Sequence, residues 1–242
     1  MATYRLSCEC DAIHSVKFNV ASNKATLLGA AAEITEATLY NRSIPNSNGV
    51  NSLLLGASSR QLRCSTCSLS IEDCPGHTGV HKLTLPCFAP LFFDATLRAL
   101  RSLCCFCSRP LVLDVEGKDA AALTLACSRS KSCPHCDGPV PIYNKGGELG
   151  ISRTWPETTV FANEEEERFA RREMTPQVAL EIFRASKREE VLFLGSGLET
   201  LADLVIENLL IPSTAIRPAV SSSTGLRARS QDDITLWLQD CI

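Results

Sequence analysis

Thirteen cysteines stand in a chain of 242 residues that holds only two methionines and two tryptophans. Ten of them fall between Cys64 and Cys136. The run Cys64-x2-Cys67-x6-Cys74-Pro75-Gly76-His77 contains two pairs of soft ligands, each with a two-residue gap. Such a gap lets both side chains of a tight turn converge on one ion, while turn amides donate to the sulfurs. Three thiolates and one imidazole make a closed tetrahedral set. That chemistry suits a structural zinc and leaves no position for a reacting water. Pro75 and Gly76 supply the turn between Cys74 and His77.

Cys104-x2-Cys107 and Cys133-x2-Cys136 form a second set, separated by 25 residues. The arrangement is that of a zinc ribbon with a spacer longer than the usual range of about 15 to 20. Cys105 lies inside the first pair, and Cys127 and His135 lie near the second, so spacing alone leaves the ligands open among these residues. A zinc held by four thiolates is the preferred reading. A redox pair and buried free thiols are the alternatives, and neither pair has the strand-then-helix setting of a thioredoxin-like site.

An odd cysteine count cannot close into disulfides alone. The opening MATYRLSCECDAIHSV lacks a basic stretch followed by an apolar one, so no secretory signal is read and a reducing compartment is expected. No run of 18 apolar residues exists, which excludes a membrane-spanning helix. The net charge of -3 divides unevenly: residues 58 to 145 carry +3 and residues 146 to 212 carry -6. Filling both thiolate sites with zinc cancels the basic balance of the middle. Bulk charge therefore cannot carry a claim of nucleic-acid binding.

The elements that must position these ligands read as a mixture. Val16, Phe18 and Val20 alternate with polar residues as in a half-buried strand, ITEATLY (34 to 40) suits another, and NRSIPNSNG (41 to 49) is loop chemistry. Phe93, Leu97, Leu100 and Cys104 share one helical face between the two clusters, which reads as core packing. Residues 138 to 162 read as loop and strand. Asn163 caps a predicted helix EEEERFARRE, with Glu166 in a capping box and Glu164–Arg168 and Glu167–Arg171 as i,i+4 pairs. Thr175 and Pro176 start another helix with Val178, Ile182 and Ala185 inward. Gly195 and Gly197 break the pattern, and SSSTGLRARSQ (221 to 231) is a polar loop. No internal repeat is visible.

CSTCSLSIEDCPGH followed by TGVHKLTLPCFAPLFF resembles the first zinc motif of the largest subunit of multisubunit DNA-directed RNA polymerase, the counterpart of bacterial β′. GVNSLLLGASSRQLRC resembles that family's lead-in, and RSLCCFCSRPLVLD with SCPHCDGPVP resembles its second zinc site. MTPQVALEIF, LLIPSTAIRPAV and QDDITLWLQD resemble the blocks that follow, in the family's order, across roughly residues 14 to 242. The resemblance implies the N-terminal clamp region, an irregular zinc-stabilised α+β unit. It divides into residues 1–60 of clamp core, a zinc region at 61–145, a helical segment at 146–212 and the start of a following segment at 213–242. It implies two structural zinc ions on Cys64, Cys67, Cys74 and His77 and on Cys104, Cys107, Cys133 and Cys136. Implied partners are the second-largest and other polymerase subunits, the rest of the largest subunit, template DNA and the RNA–DNA hybrid, with no membrane. The implied location is intracellular: a nucleus or, for a virus, host nucleus, host cytoplasm or virion.

This chain departs from the family at several points. Val80 stands where many members carry a second histidine, with His81 next door, and IPSTAIRP replaces consecutive prolines. This drift points to a large DNA virus. Arg217, in the matched IRP segment, reads as a structural tie rather than a phosphate contact. The family's magnesium-binding Asn-Ala-Asp-Phe-Asp-Gly-Asp loop is absent, and the adjacent Asp232 and Asp233 cannot replace three converging carboxylates. The expectation is a fragment or split-gene product, inactive alone, whose magnesium belongs to the complete enzyme. A free-standing zinc-binding protein that docks on a polymerase is the other reading.

Overall fold

A computed structural model describes residues 21–42, 44–113, 120–187, 200–218, 220–221 and 229–242. The strand read at Val16–Val20, the break at Gly195 and Gly197, and most of the 221–231 loop lie outside them. Helices and short strands alternate irregularly along the described chain. They comprise helix Asn23–Gly29 (α1), strands Ala32–Glu33 (β1), Tyr40–Asn41 (β2), Ile44–Pro45 (β3) and Gly79–Phe88 (β4), and helices Phe93–Ser102 (α2) and Ala120–Arg129 (α3). Then come the hairpin Ile142–Gly146 (β5) and Gly150–Thr154 (β6), helices Glu164–Arg171 (α4) and Pro176–Ala185 (α5), strand Val205–Ile211 (β7), strands Val220–Ser221 (β8) and Arg229–Ser230 (β9), and helix Asp233–Cys241 (α6).

The central sheet has the order β1-β4-β7, with β1 parallel and β7 antiparallel to β4. Its register shifts between Lys82 and Cys87, where Pro86 has no N–H to give the ladder. Asn23 clasps the other side of β7: its side chain donates to the Val205 carbonyl (2.9 Å) and accepts from the Glu207 amide (3.0 Å). One core joins α2, α5, the β5–β6 hairpin and the segment entering β7 through Leu97, Leu100, Tyr143, Ile151, Phe183 and Leu204. A smaller core packs Ile34, Val50, Leu55, Ile211 and Leu238 around the sheet.

The helical stripe Phe93, Leu97, Leu100 and Cys104 is buried throughout, as its period demands. Helix α4 starts where predicted: the Glu166 amide donates to Asn163 Oδ1 at 2.8 Å, and Glu166 accepts from the Ala162 amide, one residue before the cap. Glu167 and Arg171 pair, whereas Glu164 and Arg168 do not. Thr175 caps α5 through the Val178 amide.

Three expectations are corrected. ITEATLY is not one strand: the amides of Thr35 and Glu36 both donate to the Asn48 carbonyl, which breaks the alternation of a ladder. Part of NRSIPNSNG is a hairpin, β2 with β3, turned at Arg42 with φ of 59°. Ala185 is exposed, because α5 overruns its core at the last residue, and Ala179, Leu180 and Phe183 join Val178 and Ile182 inside.

Candidate metal centres

Cys64, Cys67, Cys74 and His77 converge, as do Cys104, Cys107, Cys133 and Cys136; within each group the ligand atoms lie within 4.8 Å of one another. Each group could hold a metal ion. Cys105, Cys127 and His135, which spacing left open, stay out of the second group. Cys105 is buried against the main core and Cys127 inside a small cluster with Leu111. His135 contributes its backbone amide to the Cys133 sulfur (3.4 Å).

Three of the cysteine turns share one backbone design. The amides of Ser68, Ser108 and Asp137 donate to the carbonyls of Cys64, Cys104 and Cys133 at 2.8, 3.0 and 2.9 Å. The amides of those first cysteines in turn donate to the carbonyls of Leu69, Arg109 and Gly138 at 3.0, 2.8 and 2.8 Å. Ser68, Ser108 and Asp137 have φ of 62°, 57° and 55°, the left-handed conformation that reverses the chain after each pair. Inside the turns, the amides of Thr66, Phe106 and His135 donate to the sulfurs of Cys64, Cys104 and Cys133, the first cysteine of each pair, at 3.4 Å. This local repeat was not legible as a sequence repeat. Its signal is a small polar residue directly after each pair.

The fourth turn is built differently. Gly76 has φ of 81°, and its amide donates to Cys74 Sγ at 3.4 Å. A Cβ at Gly76 would lie 2.3 Å from Ser213 Oγ, so the segment after β7 closes directly on this turn. Leu53, Leu54 and Leu55 anchor the loop by successive carbonyls, which accept from the Ser65 amide (3.0 Å), Thr66 Oγ1 (2.7 Å) and the His77 amide (3.0 Å). These contacts were missed in the sequence, since backbone acceptors leave no mark in residue type.

The donor sets fit a tetrahedral ion. His77 Nε2 is buried and has no hydrogen-bond partner, and a ring nitrogen of His77 lies within 4.8 Å of three sulfurs. Closest sulfur pairs are 3.5 Å (Cys67–Cys74) and 3.6 Å (Cys104–Cys136 and Cys107–Cys133). A tetrahedron with metal–sulfur bonds of about 2.3 Å has edges of about 3.8 Å. Burial pushes the Cys104 thiol well above its ordinary range and Cys107 up to about 11. Cys133 is also desolvated, but the amides of His135 and Cys136 and the Cys107 thiol draw it down. In the first group burial likewise opposes ionisation of Cys64, and the amides of Cys67 and Thr66 with the neighbouring thiols outweigh it. Crowded thiols of split acidity are what one cation stabilises together as thiolates.

Arg217 lies apart from both centres and is 3% exposed. It donates to the carbonyls of Val50 (2.7 Å) and Pro212 (3.0 Å), to Thr235 Oγ1 (3.0 Å) and to Asn51 Oδ1 (3.4 Å). It ties three distant segments together and presents no face for a phosphate. Burial lowers its pKa to about 10, so it stays charged at neutral pH. Asp232 accepts from the Ile234 amide as the cap of α6. Among the described residues no helix is long and apolar enough to cross a membrane.

A sequence model of RNA polymerase Rpb1, domain 1, matches residues 10–242. The chain is 22% identical over 254 residues to DNA-directed RNA polymerase II subunit RPB1 of Euplotoides octocarinatus, covering 95% of this chain and 52% of that protein. It is 25% identical over 275 residues to DNA-directed RNA polymerase III subunit rpc1 of Schizosaccharomyces pombe, covering 95% and 19%. An African swine fever virus DNA-directed RNA polymerase RPB1 homolog is 26% identical over 235 residues, covering 94% and 15%. The chain thus spans about half the length of the first relative and under a fifth of the other two. With the match running through both four-ligand groups, the chain belongs to the family of RNA polymerase Rpb1, domain 1.

Proposed function

We propose that this chain is the clamp portion of the largest subunit of a DNA-directed RNA polymerase and contributes to DNA-templated RNA synthesis by holding nucleic acid in the cleft. The observation that carries the reading is the family match from residue 10 to 242, running through two preassembled four-ligand groups. Each group takes a structural zinc ion: Cys64, Cys67, Cys74 and His77 hold one, and Cys104, Cys107, Cys133 and Cys136 the other. Bound zinc supplies no reaction chemistry here. It fixes loops whose own apolar core is small, and the protein's amides and turns preset the sulfurs for it.

The four consecutive segments 1–60, 61–145, 146–212 and 213–242 serve as clamp core, zinc region, helical segment and entry to the next clamp segment. The working partners are the second-largest and other subunits, the remainder of the largest subunit, template DNA and the RNA–DNA hybrid. Contacts to DNA are to the backbone and independent of sequence. Magnesium-dependent nucleotidyl transfer belongs to the complete enzyme. Relatives named for polymerases II and III and for a virus support a nuclear location or, for a virus, a host nucleus, host cytoplasm or virion.

The test is primer extension on a DNA template. The purified chain is expected to be inactive, and to co-purify with and support extension by an assembly containing the second-largest subunit and the rest of the largest. Extension by the chain alone, or failure to enter that assembly, overturns the reading.

A further inference from the structure

One side chain inside the second centre reaches out of it. The Phe106 amide donates to the Cys104 sulfur at 3.4 Å, so the residue's backbone is held by a ligand atom. Its ring lies so close over the opposite turn that a Cβ on Gly138 would sit 2.9 Å from Phe106 Cδ2. On its other side the ring is 6.0 Å from Trp155 and 5.7 Å from Phe169, centroid to centroid.

Phe169 lies in the last turn of α4, and Trp155, directly after β6, packs against that end. The Trp155 indole N–H donates to the Ala170 carbonyl at 3.1 Å. Arg153, on β6, donates through Nη2 to the carbonyls of Phe169 (2.7 Å), Ala170 (3.3 Å) and Arg172 (2.6 Å). Its guanidinium stands 4.8 Å from the Phe169 ring centre and 5.7 Å from that of Trp155. The carbonyls of Phe169 and Ala170 in the last turn of α4, and that of Arg172 just beyond it, therefore accept from two side chains of the β5–β6 hairpin region. The aromatic surface that seats those side chains includes Phe106.

We infer that Phe106 is a positioning residue that couples metal occupancy of the second centre to the order of α4. Loss of the ion frees the Cys104 sulfur and the turn that holds the Phe106 backbone. The ring then leaves Gly138, Trp155 and Phe169 lose their support, and the carboxyl end of α4 loses its caps. Among the described residues the anchors of the first centre run elsewhere, to Leu53–Leu55 and Ser213. The inference rests on the reading that the second group binds zinc.

The protein offers its own reporter. Only two tryptophans are present, so Trp237→Phe leaves Trp155 alone. In that background, ion count by native mass spectrometry is followed together with Trp155 emission and amide exchange across residues 164–172. Cys107→Ser/Cys136→Ser, which empties the second site, is expected to red-shift Trp155 and speed that exchange roughly five- to tenfold, the scale of a lost helix cap. Cys64→Ser/Cys67→Ser is expected to leave both unchanged. Phe106→Ala, which removes no ligand, is expected to keep two ions while showing fast exchange with or without chelator, and Phe106→Tyr to restore the coupled response. A two-ion protein in which emptying the second site leaves Trp155 and α4 unchanged overturns the proposal, as does a Phe106→Ala chain with the unaltered response. A protein that never takes up a second ion defeats the zinc reading itself, and the ion count tells the two failures apart.

Discussion

The sharpest steric demand falls on a single residue inside the first centre. Gly76 combines φ of 81° with a Cβ position 2.3 Å from Ser213 Oγ. Gly76→Ala must therefore strain the backbone and displace the segment after β7, at a cost of about 1–3 kcal/mol. A lowered urea midpoint is the expected readout, and an unchanged midpoint would show that the two segments do not press on each other. Arg217 makes a comparable demand of a different kind. Arg217→Met leaves the carbonyls of Val50 and Pro212 buried without their donor, and a loss of about 3 kcal/mol is expected. Arg217→Lys recovers only part of it, because one ammonium cannot reach all the acceptors that the planar fork does. A phosphate-binding role would instead predict wild-type stability with weaker nucleic-acid binding.

Helix α4 tests how far local rules decide an element. Its cap, acidic first turn and basic last turn all agree, and Asn163→Ala is expected to cost about 1 kcal/mol, seen as faster amide exchange over residues 164–167. Elements of this kind were legible: α4 and α5 announce themselves by period and by capping residue within one ten-residue window, and α2 by its period alone. The ligand spacing was legible for the same reason, since each pair is a local turn. What escaped was set from a distance. Thr35 and Glu36 leave the strand pattern because Asn48 takes both amides, and β7 is a strand because β4 runs beside it. Ser68, Ser108 and Asp137 adopt positive φ without being glycine, because the sulfur-directed turn over-determines them. Of the second site, four candidate ligands were named among seven residues; Cys105 packs into the main core, and Cys127, although buried in one cluster with Cys104 and Cys133, does not join the converging group.

Among the described residues three clusters of apolar residues share the work, and the one at the second centre buries only Leu111 and Cys127 beside the candidate ligands Cys104 and Cys133, with Phe106, Val112 and Val140 partly buried against them. That is too little apolar area to order the turns around it. On the zinc reading the ions supply what burial does not, so chelation is expected to unfold the turns at 64–77 and 104–138 while the core of α2, α5 and β7 keeps most of its exchange protection. The most direct measurement of the central claim is the metal content of the purified 242-residue chain by native mass spectrometry. Two zinc ions per chain are predicted, falling to one when Cys64 and Cys67 are changed to serine and to one when Cys107 and Cys136 are. A chain that folds with the same exchange protection and carries no ion, or whose ion count ignores these substitutions, would contradict the account.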